Sequence, residues 1–192
     1  MDSAFASALS VLHHTFVEKP WGYLSWPALA MVVGTLVRWL LGSKSQRLAV
    51  VPRTGAGLVG IGTGPFLHAG LAHLLANLPP FVVLGALALR KGSHRFVETT
   101  TIVALGGGTL VWLFARRGAH MGASGVVFGL FGDLMALAYV TRTTSDILVA
   151  IVVLLVYGGM LAGLKPVRRQ TSWEAHLFGL LVGVAKVWWL RR

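Results

Sequence analysis

Six apolar runs, each close to the length of one membrane crossing, constrain this chain more than any other feature. About 20 predominantly apolar residues span the hydrocarbon core as a helix, and runs of that order fall at 24–41, 65–89, 96–115, 122–140, 147–164 and 173–190. A segment in lipid must satisfy its own backbone polar groups, so runs of this length are helical. The expected fold is an all-α, polytopic bundle of six transmembrane helices. It forms a single membrane-embedded domain over residues 1–192, with no room for a separate soluble one. Charge supports this, because only 12% of the residues are charged against about 25% in a soluble domain.

The chain holds six acidic residues against 17 basic ones, a net charge of +11. The basic residues gather in short clusters between the apolar runs, which suits lipid headgroups rather than the continuous stripe a nucleic acid needs. The expected partner is a lipid bilayer and not a nucleic acid. Lys19, Arg90, Lys91, Arg95, Arg142, Arg191 and Arg192 fall on the side of the termini, and Lys44, Arg47, Arg53, Arg116, Arg117, Lys165, Arg168 and Arg169 on the other. The positive-inside rule therefore selects neither orientation. Trp21, Trp26, Trp112, Trp173, Trp188 and Trp189 sit near helix ends, where an amphipathic ring suits the interface. The first twenty residues include Asp2, Glu18 and Lys19 but no basic stretch followed by an apolar core and a cleavage site. No cleaved signal peptide is expected. Cysteine is absent, which excludes disulfide and thiolate chemistry. The stretch 42–64 is too broken by glycine and proline for a regular span and is expected to lie in the interface.

Polar side chains inside apolar runs are costly and point to function. Here they are His68, His73, Asn77, Ser124, Asp133 and His176. Even-numbered spans cross in the same direction, so the starts of the second, fourth and sixth share a leaflet. His73 and Asn77, Ser124, and His176 all lie near those starts. A hydroxyl, an imidazole and further hydrogen-bond donors are thereby delivered to one depth by segments far apart in sequence. His73 and Asn77, four apart, share a helix face, whereas His68 would lie about 140° around from His73. A metal site from His68, His73, His120 and His176 lacks the usual cysteine or carboxylate companions, and no metal or other cofactor is expected.

Ser124 lies in Gly122-Ala123-Ser124-Gly125, where small neighbours uncover the hydroxyl and a helix start offers free backbone N–H groups. A serine needs a base to become a nucleophile, and His176 is the embedded histidine outside the second span. The pairs Gly125 and Gly129, and Gly179 and Gly183, are each spaced to let two helix backbones approach closely.

Together these motifs resemble the rhomboid intramembrane serine proteases. The resemblance covers residues 65–183 and rests on His68-Ala-Gly-Leu-Ala-His73-Leu-Leu-Ala-Asn77, on Gly122-Ala-Ser124-Gly125, and on Ala175-His176-Leu-Phe-Gly179-Leu-Leu-Val-Gly183. It implies a catalytic dyad of Ser124 and His176, with His73, Asn77 and the Ser124 N–H forming an oxyanion hole. His68, Gly122, Gly125, Phe128, Gly179 and Gly183 would support them. It also implies transmembrane protein segments as substrates, cut near their ends, and a bacterial plasma membrane with the site opening outward and both termini cytoplasmic. Two departures stand out: Phe128 occupies a position that is often tyrosine in the family, and the Trp-Arg pair some bacterial members carry ahead of the second span is missing.

Glu174 lies roughly opposite His176 on a helix, and Asp133 falls about 13 Å along the helix from Ser124, so a dyad fits better than a triad. Asp133 is expected to be a protonated, hydrogen-bonded packing residue, with a proton or ion path as the other reading. His120 carries no assignment, and Gly106-Gly107-Gly108 reads as close packing. The competing functions are a non-catalytic member of the same fold that binds transmembrane helices, and a small transporter using Asp133. Retention of both Ser124 and His176 argues against the first, and the lack of an internal repeat against the second.

Overall fold

The computed structural model describes residues 21–166 and 172–189. Asp2, Glu18, Lys19, Arg168, Arg169, Arg191 and Arg192, all weighed above, lie outside the described residues. The described chain is a helical bundle. Its helices are α1 (Gly22–Leu41), α2 (Gly55–Thr63), α3 (Leu71–Leu89), α4 (Ser93–Ile102), α5 (Gly108–Phe114), α6 (Ser124–Thr141), α7 (Thr144–Tyr157) and α8 (Trp173–Trp189). A wide turn of π-helix, Val103–Gly107, joins α4 to α5, and 3-10 turns extend α1 over Gly42–Leu48 and α7 over Gly158–Leu164.

Among the described residues, five helical segments are long and apolar enough to cross a membrane: Gly22–Leu48, Leu71–Leu89, Ser93–Phe114, Ser124–Thr141 and Thr144–Leu164. The stretch expected as a sixth span forms α8, a helix of 17 residues and so about 25 Å long at 1.5 Å per residue, and is not among these five. The second span begins later than its hydropathy suggests. Gly64–Phe66 is a 3-10 turn and α3 starts only at Leu71, so His68 lies in an irregular segment and not on the helix. The helical angle expected between His68 and His73 therefore does not apply. Residues 42–64 are also more regular than their composition suggests: Thr54 caps α2 by accepting the Gly57 N–H at 3.1 Å, which satisfies one of the free amides of a helix start.

Helix α6 is the axis of the bundle. Val127, Phe128, Leu130, Phe131 and Leu134 are all buried, and α3, α4, α7 and α8 pack around it. The outer helices α1 and α7 instead expose Leu36, Leu40, Leu148 and Leu155, as lipid-facing surfaces do. Helices α6 and α8 meet without side chains between them. A Cβ on Gly179 would collide with the Gly125 carbonyl and one on Gly183 with the Gly129 carbonyl. Gly107 of the π turn backs onto Gly179 from another side, its Cβ position 3.6 Å from the Gly179 Cα. Small residues are what such an approach requires, since lipid gives helices no hydrophobic reason to associate.

Gly179→Ala is expected to force α6 and α8 apart and to destabilise the fold by about 1–3 kcal/mol, the usual cost of overpacking. Thermal unfolding in detergent checks it against Gly106→Ala, whose methyl would meet only the Val182 side chain at 3.3 Å. Equal midpoints for the two variants would show that the contact is not limiting.

Candidate functional site

His176 lies in the first turn of α8, 8% exposed. Its Nδ1 stands 2.9 Å from the carbonyl oxygen of Gly163, at the end of the 3-10 turn that follows α7. A carbonyl can only accept, so Nδ1 carries the proton and Nε2 keeps its lone pair. The ring lies flat on Phe128, with centroids 4.3 Å apart and planes 7° apart. Phe128 is four residues after Ser124 and so shares its face of α6. The backbone places Ser124 and His176 on adjoining turns, because Gly125 packs on Ala175 with its Cβ position 3.2 Å from the Ala175 carbonyl. Among the described residues neither Ser124 Oγ nor His176 Nε2 has a hydrogen-bond partner.

Ser124 is the first residue of α6, and the chain reaches it through Gly122 at φ +113. That backbone region favours glycine. Gly122 is confined as well, since a Cβ there would lie 2.6 Å from His73 Cε1 and 2.8 Å from His73 Nε2. The first amides of α6 have no side-chain cap, which leaves N–H groups and the positive end of the helix dipole at the hydroxyl.

His73 is set in the opposite sense to His176. Its Nδ1 accepts the backbone N–H of Ala69 at 3.2 Å, so in the neutral ring the proton is on Nε2, the atom that faces Gly122. Asn77, 5% exposed, lies one turn further along α3 and spends one amide hydrogen on the His73 carbonyl at 2.7 Å. Its second hydrogen remains available. Both side chains thus offer N–H donors beside the start of α6.

His68 is fully buried and ties three segments together. Its Nε2 accepts the Ala123 N–H at 3.3 Å, so Nδ1 carries the proton and donates to Thr35 Oγ1 at 3.3 Å. Thr35 in turn donates to the Met31 carbonyl of α1 at 2.7 Å. Its ring also meets that of His73 edge-on at 5.1 Å.

The loop ahead of Ser124 has further anchors that motif reading missed. His120 Nε2 donates to the Arg116 carbonyl at 2.9 Å, which leaves Nδ1 to accept the Ser172 hydroxyl at 2.6 Å. Backbone bonds of 2.9 Å join Val50 to His120 in both directions and Gly122 N–H to the Gly64 carbonyl. Residues 42–64 are therefore a buttress of the loop that carries Ser124. The one sequence signal for this was the polar residue His120 two positions before the motif. A cavity of about 50 Å3 lies behind the same loop, bounded by His120, Gly122, Gly125 and Ala175, enough for a water molecule.

The two carboxylates near these motifs are engaged elsewhere. Glu174 pairs with Arg116 at 3.0 Å. Asp133 accepts from Arg95 through both oxygens at 2.9 Å and lies 3.6 Å from Lys186 Nζ. The expectation of a packing residue outside any ion pair is thus corrected: two cations, Arg95 and Lys186, face Asp133. Among the described residues no three histidine or carboxylate groups converge as a metal set.

Comparison with known proteins agrees with this architecture. The family model of the Rhomboid domain matches residues 55–192. An uncharacterized protein of Mycobacterium tuberculosis is 38% identical over 176 residues, covering 87% of this chain and 73% of the relative. RHOMBOID-like protein 4 of Arabidopsis thaliana is 32% identical over 120 residues, 62% of this chain and 30% of the relative. RHOMBOID-like protein 7 of the same plant is 34% identical over 122 residues, 62% of this chain and 38% of the relative. With a domain match over most of its length and five apolar membrane-length helices, this chain is an integral, multi-pass membrane protein and belongs to the rhomboid family.

Proposed function

We propose that the protein is an intramembrane serine endopeptidase in which Ser124 is the nucleophile and His176 the general base. The observation that carries this reading is the state of His176. Its Nδ1 proton is committed to the Gly163 carbonyl and its ring is braced by Phe128, so the basic Nε2 is held on the Ser124 side of α6. A structural histidine has no need of an unspent lone pair beside a serine.

In the reaction, Ser124 Oγ attacks a substrate peptide carbonyl while Nε2 takes its proton. The carbonyl oxygen gains the negative charge. It is met by the Ser124 N–H, His73 Nε2–H and the free Asn77 amide hydrogen, each such donor being worth about 2.7–4 kcal/mol. His176 then gives its proton to the leaving amine as the C–N bond breaks. A water loses its proton to the same Nε2 and attacks the acyl-enzyme; the acyl C–Oγ bond then breaks as Nε2 returns that proton to Oγ, which releases the carboxylic acid product and restores Ser124. A regular transmembrane helix hides its carbonyls in hydrogen bonds. The substrates are accordingly membrane-protein segments that unwind near the end of a span, and they arrive from the bilayer. The setting is a bacterial plasma membrane, with both termini cytoplasmic.

The absence of a Ser124–His176 hydrogen bond favours one other reading, a non-catalytic member that binds transmembrane helices. Catalytic hydrogen bonds often close only with substrate bound, so reactivity decides between them. Purified protein in detergent is expected to form a stoichiometric adduct with a fluorescent fluorophosphonate, mapped to Ser124 by peptide mass and lost in Ser124→Ala. Folded wild-type protein that forms no adduct with several such probes would sink the protease reading and leave the helix binder.

A further inference from the structure

We propose that Arg38 is a positioning residue for the donor side of this site, setting His73 through the Ala69 carbonyl and the loop before Ser124 through the Met121 thioether. The inference rests on the protease reading for its kinetic consequence but not for its structural one.

Arg38 sits in the last turn of α1, where an arginine ordinarily extends along its helix to put its charge among headgroups. Here it turns inward. Its Nε points at Met121 Sδ at 3.1 Å and its Nη1 at the Ala69 carbonyl at 3.4 Å. Among the described residues no carboxylate pairs with it, so ion pairing does not explain the turn.

The two groups it touches flank His73. Ala69 is the residue whose N–H fixes the His73 tautomer, and it lies in an irregular segment with no helical bonds of its own to fix it. Met121 precedes Gly122, the glycine against which His73 Nε2 rests. One guanidinium therefore spans the gap between the segment that orients the donor and the loop that carries the nucleophile. The planar fork suits this, since it offers several donors in fixed directions where an ammonium offers a point charge. The guanidinium lines a groove of about 450 Å3 between α1 and α3, with Thr35, His68 and Leu74, so shortening it opens no void inside the packed core.

Arg38→Gln is expected to lower kcat on a transmembrane substrate by about 10- to 100-fold with KM unchanged, by analogy with the loss of a residue that orients a metal ligand. Fluorophosphonate labelling should slow in parallel, because the phosphonyl oxygen occupies the same donors. Arg38→Lys should recover only part of the rate, and Arg47→Gln, which removes an exposed cation, none of these changes. The readout that a purely structural role would not move is the His73 ring. With 15N-labelled histidine, wild type should show the proton on Nε2, and Arg38→Gln a mixture of both tautomers. Should the glutamine variant not fold, Met121→Leu keeps the volume, removes the sulfur contact to the loop and should lower kcat and slow labelling, while the His73 tautomer stays set by Ala69; an unchanged kcat there would overturn the loop half of the proposal.

An unchanged kcat and an unchanged His73 tautomer in a folded variant would overturn the proposal. Wild-type protein that forms no adduct would instead count against the protease reading. The tautomer comparison would still decide the role of Arg38.

Discussion

Replacing His176 with alanine is expected to reduce cleavage of a transmembrane substrate by about 10^6-fold, the scale seen when a serine nucleophile loses its base. No neighbouring group can substitute. His120 spends both ring nitrogens on Ser172 and Arg116, His68 spends both on Ala123 and Thr35, and the lone pair of His73 is taken by Ala69. Glu174 pairs with Arg116 through Oε1 and, two residues from His176, projects from roughly the opposite side of α8. Because serine and histidine act as a unit, the double variant Ser124→Ala/His176→Ala should be no slower than either single one. Turnover of a quenched transmembrane peptide in liposomes measures this, with circular dichroism confirming that helices remain. Cleavage by folded His176→Ala within tenfold of wild type would remove His176 from the mechanism.

The parts of this site that the sequence discloses are those on regular helices. Ser124, His176, His73 and Asn77 each begin or follow a helix start, so crossing direction alone assigns them a common depth. The supporting loops are less readable. His68 looks like part of the second span because hydropathy continues smoothly through 65–70, and hydropathy carries no record of where hydrogen bonding begins. The Gly70 backbone is extended, with φ 175, and α3 forms only beyond it. Glycine likewise obscures α2: four of its nine residues are glycines, which suit a loop as well as a helix, and the readable clue is Thr54 in a capping position. Arg38, Arg95 and Lys186 are the least legible in the sequence. Each lies near the end of an apolar run, where a long cation ordinarily reaches the headgroups, and only tertiary packing reveals that these turn inward.

That inward turn has its largest energetic consequence at the other end of the bundle. Asp133 is completely buried, as is the Lys186 side chain, and Arg95 closes over them from α4. Glu98 meets Lys186 at 3.1 Å, and Thr99 accepts from Lys186 at 2.9 Å. Two anions and two cations thus balance where α4, α6 and α8 converge, with Arg95 Nε already lacking a partner. Removing one member leaves a buried charge uncompensated, which costs about 3–5 kcal/mol, whereas replacing a whole pair by apolar groups can be neutral. Asp133→Asn and Lys186→Met are each expected to lose that much stability, measured as detergent or urea unfolding followed by tryptophan fluorescence. The double variant keeps Arg95 opposite Glu98 in net charge and should lose less than the sum, revealing a coupling of the kind that contacting residues show. Fluorophosphonate labelling per folded molecule should not change, because the cluster lies about 13 Å along α6 from Ser124. Additive losses would show that these charges do not act together. A fall in labelling at full stability would mean that Asp133 serves the reaction rather than the fold.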